Sequence, residues 1–175
     1  NKAFQHFNAS LSDKEKSKAF PIKNISEILD KGKNTEKLRP TLYDFIVHRA
    51  IDYFKQEENE LTKPAYSFEI DDDKAFANAT TFCSATFNPD NYRDDSNSKK
   101  YTAFKLYQEI IKAHLNDADP SAMIDADIAR IQFVNEKNVL PNKNELYRNA
   151  LQSIAERFPN NEQGQMAVCL LAETY

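Results

Sequence analysis

Three histidines are the side chains of this chain best suited to moving a proton near neutral pH, because unperturbed imidazole titrates there. They are His6, His48 and His114, and no two lie close enough in sequence to form the paired zinc ligands of an H-E-x-x-H helix. His48 has Asp44 and Asp52 one helical turn away on either side, which could raise its pKa. The pattern favours a solvated ladder of charges. His114 falls on an apolar stripe and is expected to be packed and hydrogen-bonded.

Other arrangements of chemistry-bearing residues are weak in this sequence. Asp125 and Asp127 are two residues apart, which on a helix points them to different faces. The only glycines are Gly32 and Gly164, so the glycine-rich loops that cradle phosphates or dinucleotides cannot form. The sequence therefore predicts neither a cofactor site nor a catalytic residue.

Neither the acidic run nor the cysteines indicate a metal site. The run Asp71–Asp73 offers oxygen ligands, but Phe76 and Phe82 stand where a calcium loop of the EF-hand type needs glycine and glutamate. Asp71–Asp73 is instead expected to cap a short helix. Cys83 and Cys169 are too few for a disulfide framework or a four-ligand zinc site, and each is expected to be a small buried apolar group.

Two further features bear on binding. Arg49 borders the apolar side of a predicted helix, and we expect it to form a structural ion pair, since a buried guanidinium needs a carboxylate or carbonyl partner. Residues 80–98 are predicted to be irregular, with a charged, asparagine-rich end typical of a binding loop. The candidate partner-binding residues of this loop and its border are Tyr92, Arg93, Asp94, Asp95 and Tyr101.

The element that must position these side chains is a helix over residues 39–56. Its polar residues fall on one narrow line, and apolar residues cover nearly all the rest of its surface. A helix packed on one side needs an apolar stripe of only about 100°, so this helix is expected to have neighbours on at least two sides. Thr41 is a good N-cap, and Asp44 lies three residues later in the favourable first turn.

The rest of the chain reads as further helices. Residues 1–20 are predicted to form a weak helix or lead-in arm, and Pro21–Lys31 a short helix with an apolar face of Ile25, Ile28 and Leu29. Residues 31–37 read as a polar turn, and 62–70 as an extended segment lying across the helices. The four helices predicted from residue 99 onward span Lys99–Asn116, Pro120–Lys137, Lys143–Arg157 and a last stretch opened by Asn160 or Asn161.

A weak internal repeat refines the fold class. Leu106–His114 aligns with Ala150–Phe158, and each is followed by a polar turn with proline and then another helix. This spacing predicts an all-α fold of antiparallel helical hairpins in a right-handed, tetratricopeptide-like array, with an irregular or extended segment near 62–98. We expect one helical domain or fragment over 1–175, divided into the arm 1–20, the central part 21–98 and two repeat-like hairpins in 99–175.

The composition of the chain limits the classes of partner that we expect it to bind. The net charge is −4 with acids and bases intermixed, and basic residues do not cluster with aromatic ones, so nucleic acid is not an expected partner. No apolar run approaches the roughly 20 residues of a membrane span. The first residue is asparagine, so we expect the sequence to be an excised fragment.

A resemblance to a known family rests on four segments: RPTLYDFIVHRAIDYF, LTKPAYSFEI, FKLYQEIIKAHLNDADPSAMIDADIARIQFV and LYRNALQSIAERFP. They resemble the N-terminal helical region of the large alpha-2-macroglobulin-like proteins of Bacteroidetes, over most of residues 36–175. The resemblance implies an exported protein of the periplasm or cell envelope of a Gram-negative bacterium, whose later domains trap proteases. The family's thioester motif, Cys-Gly-Glu-Gln, is not in this sequence, so no functional residue is carried over.

Two functions from different classes follow as hypotheses. The first is a non-catalytic interaction or scaffold module that docks a protein partner or other domains of its parent chain. The second is a glycan- or peptide-binding helical-repeat module of an outer-membrane uptake system, which exposed Tyr and Phe side chains within residues 80–101 would favour. An enzyme of unrecognised type would need a cleft with a strongly shifted carboxylate or histidine.

Overall fold

A computed structural model of the chain describes residues 2–29, 32, 35–56, 67–87 and 98–175. The structure is 70% helical, and the described residues contain no β-strand, which confirms the predicted all-α class. The right-handed tetratricopeptide-like arrangement stays a prediction. Two 3-10 helices span Ile22–Ile25 and Asp73–Phe76. The α-helices in these ranges are α1 Lys2–Ser12, α2 Lys14–Lys18, α3 Thr35–Leu38, α4 Leu42–Phe54, α5 Ala79–Ser84, α6 Lys99–His114, α7 Ser121–Lys137, α8 Lys143–Arg157 and α9 Glu162–Ala172.

Helix α4 is the predicted central helix, and it begins as its sequence requires. The backbone N–H of Thr41 donates to Asp44 Oδ2 at 2.8 Å, and the N–H of Asp44 donates to Thr41 Oγ1 at 3.3 Å. This reciprocal capping box satisfies two amides that a helix start leaves without partners. Helix α4 packs against α1, α2 and α6, so it has neighbours on more than one side, as its wide apolar surface predicts.

The helices from α6 to α9 pack in sequence order. Each contacts the next one, and α7 also contacts α3 and α9. Apolar residues from α4, α6, α7 and α8 join one continuous core with Phe68, Phe82 and Phe87. The predicted starts and ends of α6, α7 and α8 agree with the structure to within two residues. At the start of α7, Asp119 Oδ1 accepts from the backbone N–H of Ser121 at 3.0 Å and so satisfies one of the amides that a helix start leaves without a partner.

Gly164 sets how closely α9 approaches the end of α8. A Cβ atom built at this position would lie 2.0 Å from the backbone oxygen of Phe158, far inside van der Waals contact. Ala167, one turn further along α9, is fully buried. These small residues allow the two helices to pack closely.

Three predictions about local structure are wrong. The helix predicted over Pro21–Lys31 is reduced to the 3-10 helix Ile22–Ile25 followed by turns, and Ile28 is 81% exposed because Ile22 provides the buried contact. The predicted polar turn 31–37 contains the start of α3. The predicted irregular stretch 80–98 begins inside α5, whose N-cap Asn78 accepts from the backbone N–H of Thr81 at 3.0 Å.

The extended segment lies across the helices where it is described. Phe68 and Ile70 are buried, and the backbone oxygen of Ile70 accepts from the N–H of Val139 at 3.1 Å, just beyond the end of α7. Residues 62–66 lie outside the described residues. The predicted lead-in arm is helical: α1 and α2 pack on α4, with the ring of Phe7 5.3 Å from that of Tyr53. Within the described ranges, no helix combines the length and apolarity that crossing a membrane requires.

Candidate functional site

The loop that the sequence singles out for partner binding lies mostly outside the described residues, which do not include Tyr92, Arg93, Asp94 and Asp95. Tyr101 lies in the first turn of α6, where its half-buried ring meets the ring of Phe68 edge-on at a centroid distance of 5.0 Å. Phe82 and Phe87 are buried. The described aromatic side chains within residues 80–101 therefore pack against other rings, and the buried Phe82 and Phe87 offer no exposed face to a sugar.

A cleft of about 320 Å³ lies along one face of α4, and we refer to it as the α4 cleft. Its α4 wall consists of residues spaced three or four apart, which places them on one side of the helix. The opposite wall comes from the first 3-10 helix, from α3, and from Tyr107 of α6 and Ala129 of α7. The α4 residues that line it are Phe45, His48, Arg49, Ile51, Asp52 and Lys55.

His48 departs from the solvated charge ladder that the sequence predicts. It is only partly exposed and lines the α4 cleft, and neither ring nitrogen has a hydrogen-bond partner among the described residues. Burial, followed by the positive charge of Arg39, lowers the pKa of His48 to about 3. The ring is therefore neutral at physiological pH, and it presents one N–H donor and one acceptor.

The predicted ion pair of Arg49 is also wrong. Arg49 is exposed, and its guanidinium lies 5.6 Å from the centre of the Phe45 ring, at the rim of the α4 cleft. The ion pair at this cleft belongs to Arg39, whose Nη1 lies 2.7 Å from Asp125 Oδ2 on α7. Because α7 already neutralises Arg39, the exposed cations of the cleft are better placed to meet a ligand.

Tyr107 contributes a buried polar group to the same cleft. The residue is 1% exposed, and its hydroxyl has no hydrogen-bond partner among the described residues. Burial raises the pKa of the Tyr107 hydroxyl above its usual range, with a further contribution from the carboxylate of Asp52. A phenol in this position stays protonated and can donate a hydrogen bond into the cleft.

His114 behaves as expected, and its partners make it the centre of a buried cluster. Its ring nitrogens lie 2.7 Å from Asp44 Oδ1 and 2.7 Å from Asp117 Oδ2, so both nitrogens must carry hydrogen to satisfy the two carboxylates. Burial alone would lower the pKa of His114, but the hydrogen bonds to Asp44 and Asp117 raise it overall. The pKa of Asp44 falls below its usual range for the matching reason, although burial opposes that shift. The cluster joins the start of α4 to the end of α6.

Arg130 is a buried charge whose role the sequence analysis missed. It is fully buried in α7, where its Nε donates to Asp127 Oδ1 at 3.1 Å and its guanidinium also donates to the backbone oxygens of Ala75 and Ala77. The guanidinium lies 4.5 Å from the centre of the Phe82 ring. These contacts fasten the second 3-10 helix to α7. The spacing of Asp127 and Arg130, one helical turn apart, was the available signal.

A second cleft, of about 390 Å³, opens beside Arg130 between the second 3-10 helix and α8. Asn149, Ser153 and Arg157 of α8 line it. The buried charged group of this cleft is Arg130, and its N–H donors already bind Asp127 and backbone oxygens. This leaves exposed side chains as the groups that could meet a ligand there.

The outer surface of α9 carries apolar side chains together with polar ones. Cys169 and Ala172 are exposed next to Glu162 and Gln165, and Met166, 50% exposed, and Val168, 43% exposed, lie on opposite flanks of this surface because they are two residues apart. We call this surface the α9 face. The prediction that Cys169 is buried is therefore wrong, because the inner side of α9 is filled by Gly164 and Ala167. Cys83 is half-buried, and burial raises the pKa of its thiol to about 11.

Metal chemistry has no centre in the described part of the chain. Its His, Cys, Asp and Glu side chains form no group of three or more that could hold an ion. Asp72 of the acidic run caps the second 3-10 helix, its Oδ1 accepting from the backbone N–H of Lys74 at 2.9 Å, as the capping prediction requires.

Comparisons of the chain with protein-family models, with curated proteins and with solved structures found no match.

Proposed function

We propose that this chain is a non-catalytic helical scaffold module, and that its α9 face docks against a helix from another domain of a larger parent protein. The observation that carries this proposal is the group of exposed apolar side chains on the α9 face. Apolar side chains that are exposed close together mark interaction surfaces. Helix α9 exposes Met166, Val168 and Cys169 on and beside its outer side.

The expected occupant of the α9 face is a helix because of how α6 to α9 pack. Each of these helices is covered by the next one in the chain, and α9 uses small residues on its inner side to approach α8 closely. A further helix placed on the outer side of α9 would continue this stacking and bury the exposed apolar side chains. Burial of a side chain the size of Met or Val contributes about 1.5–3 kcal/mol.

The parent protein that we propose is of the alpha-2-macroglobulin-like kind, exported to the periplasm or cell envelope. Support for it comes from the sequence resemblance over most of residues 36–175. In such a protein the module would position the protease-trapping domains. The α9 face is compatible with that role, since a scaffold module needs a surface that another domain can cover.

A catalytic role for the α4 cleft is disfavoured by the direction of the His48 shift. A general base works best when its pKa lies near the operating pH. A histidine whose pKa is lowered to about 3 is a weak base at neutral pH, and it cannot act there as an acid. Its shift follows from burial and neighbouring cations, which a structural or binding site explains equally well.

The proposal is tested by the reactivity of Cys169, which lies on the α9 face. Residues 1–175 and the full parent protein would be alkylated with a maleimide, and peptide-resolved mass spectrometry would follow the modification of Cys169. We expect Cys169 to react about tenfold more slowly in the parent protein, because a covered thiol reacts only when the contact opens. A cysteine placed by Gln152→Cys on the exposed side of α8 provides the control and should react alike in both.

Two outcomes would contradict this docking. Equal reactivity of Cys169 in the isolated chain and in the parent protein would show that the α9 face stays open. Protection that appears in the isolated chain and grows with its concentration would show that a second copy, and not a parent domain, covers the face.

A further inference from the structure

We propose that the α4 cleft binds a small ligand that carries a carboxylate at one end and an apolar or aromatic body at the other. This inference is independent of the α9 face, because no residue that lines the cleft belongs to α9. The proposed scaffold function does not involve the α4 cleft.

Hydrogen-bond donors that have no protein partner indicate the chemistry of the ligand's polar end. Among the described residues, neither the Tyr107 hydroxyl nor the His48 ring has a partner, although Tyr107 is 1% exposed and His48 is only partly exposed. In the described part of the chain, the buried side-chain atom without a partner is Asn135 Oδ1, so the Tyr107 hydroxyl keeps contact with solvent. A ligand oxygen in the cleft can therefore accept from this hydroxyl and from the His48 N–H. A carboxylate accepts hydrogen bonds from several donors at once, whereas a protonated amine has no acceptor for them.

Cations outnumber carboxylates by three to two in the lining of the cleft. Arg39, Arg49 and Lys55 are the positive side chains, and Glu36 and Asp52 are the negative ones. Arg39 is already held by Asp125. Arg49 at the rim has no carboxylate partner among the described residues, and its guanidinium can reach a ligand carboxylate with paired donors.

The remaining lining suits an apolar body. Ile22, Leu29, Phe45 and Ile51 line the cleft, and the volume of about 320 Å³ is at the lower end of the range of small-molecule sites. The cleft therefore fits a compact ligand such as an aryl or short acyl carboxylate, and not an oligosaccharide.

The test compares benzoate with benzamide, which has the same shape but no charge. Binding to the isotopically labelled chain would be followed by amide chemical-shift changes in a two-dimensional NMR titration. We expect benzoate to bind with shifts centred on α4 and Tyr107, and benzamide to bind about tenfold more weakly, because it forfeits a charge-assisted hydrogen bond. Equal affinities, or no binding of benzoate, would overturn the proposal.

Three variants locate the binding groups. Tyr107→Phe removes only the hydroxyl and should weaken benzoate about fivefold, and Arg49→Gln should weaken it about tenfold. Arg157→Gln is the matched control, since Arg157 is also exposed and also lies over a neighbouring phenylalanine ring, at 5.2 Å, in the second cleft. Unchanged affinity in Tyr107→Phe, or equal losses in Arg49→Gln and Arg157→Gln, would contradict this assignment.

Discussion

His48 belongs to helix α4 and His114 packs against the start of that helix, and the two rings differ in their protonation state. His114 meets the buried Asp44 at the start of α4, at 2.7 Å, and keeps its proton. His48, on α4 itself, faces the α4 cleft without a hydrogen-bond partner in the described residues and gives its proton up. Both rings are largely removed from water, so burial does not distinguish them.

The difference lies in the partners that the fold supplies. Two carboxylates at hydrogen-bond distance outweigh the desolvation of His114, whereas the nearest charges to His48 include the cations Arg39 and Lys55. The first arrangement fastens two helices together. The second leaves neutral donors facing an open volume, which is a requirement for binding a ligand. One helix thus separates a structural contact from a candidate binding site.

The largest expected effect is on the free energy of unfolding, and it tests the contact between Asp44 and His114. Asp44→Ala removes the capping box of α4 and leaves the charged His114 without its buried partner. We expect a loss of about 3 kcal/mol in the free energy of unfolding, measured by urea denaturation near pH 6. Asp52→Ala, an exposed carboxylate on the same helix, is the control and should change the free energy by about 0.5 kcal/mol or less. Equal effects would remove the distinction.

A smaller effect appears on acidification and tests the cleft side. His48 in the unfolded chain takes up a proton below a pKa of 6.5, while the folded chain resists protonation until about 3. Acidification between these values therefore favours unfolding. Relative to His48→Gln, the unmodified chain should lose on the order of 1 kcal/mol of stability per pH unit below 6.5. A gain in stability relative to the variant would mean that His48 is charged in the fold.

The opposite pH dependence is expected for His114. Its raised pKa means that the folded chain holds this proton more tightly than the unfolded chain. The stabilisation is fully present below the unfolded pKa of 6.5 and disappears as the pH rises through the folded pKa. The stability difference between the unmodified chain and His114→Asn should therefore shrink from pH 6 to pH 9 in parallel urea titrations. A difference that grows with pH would reverse the assignment.

The parts of the fold that the sequence predicted depend on local patterns. Thr41 and Asp44 are three residues apart, so their capping box can be read directly from the chain. The periodic apolar residues of α7 and α8 likewise located those helices to within two residues. Short segments were predicted less well: α5 has only six residues, and its cap Asn78 was the one available signal.

The candidate site could not be predicted because its residues meet across long stretches of chain. Asp44 and His114 are 70 positions apart, and Arg130 finds its backbone partners 53 and 55 positions away. Periodicity on α4 favoured Arg49 as the buried guanidinium, but the buried guanidinium is that of Arg130 on α7, whose partners are Asp127 on the same helix and the backbone oxygens of Ala75 and Ala77. The polar line on α4 was visible in the sequence. That it borders a cleft depends on Tyr107 and on the first 3-10 helix, which only the tertiary structure brings there.

The contrast between the two histidines is tested most directly by an NMR titration of their imidazole rings, with selective isotope labelling and His48→Gln and His114→Asn to assign the signals. We expect the His114 ring to titrate above its ordinary pKa of 6.5 and the His48 ring to remain neutral down to about pH 4. A His114 ring that loses its proton below pH 6.5, or a His48 ring that is charged at neutral pH, would contradict the account.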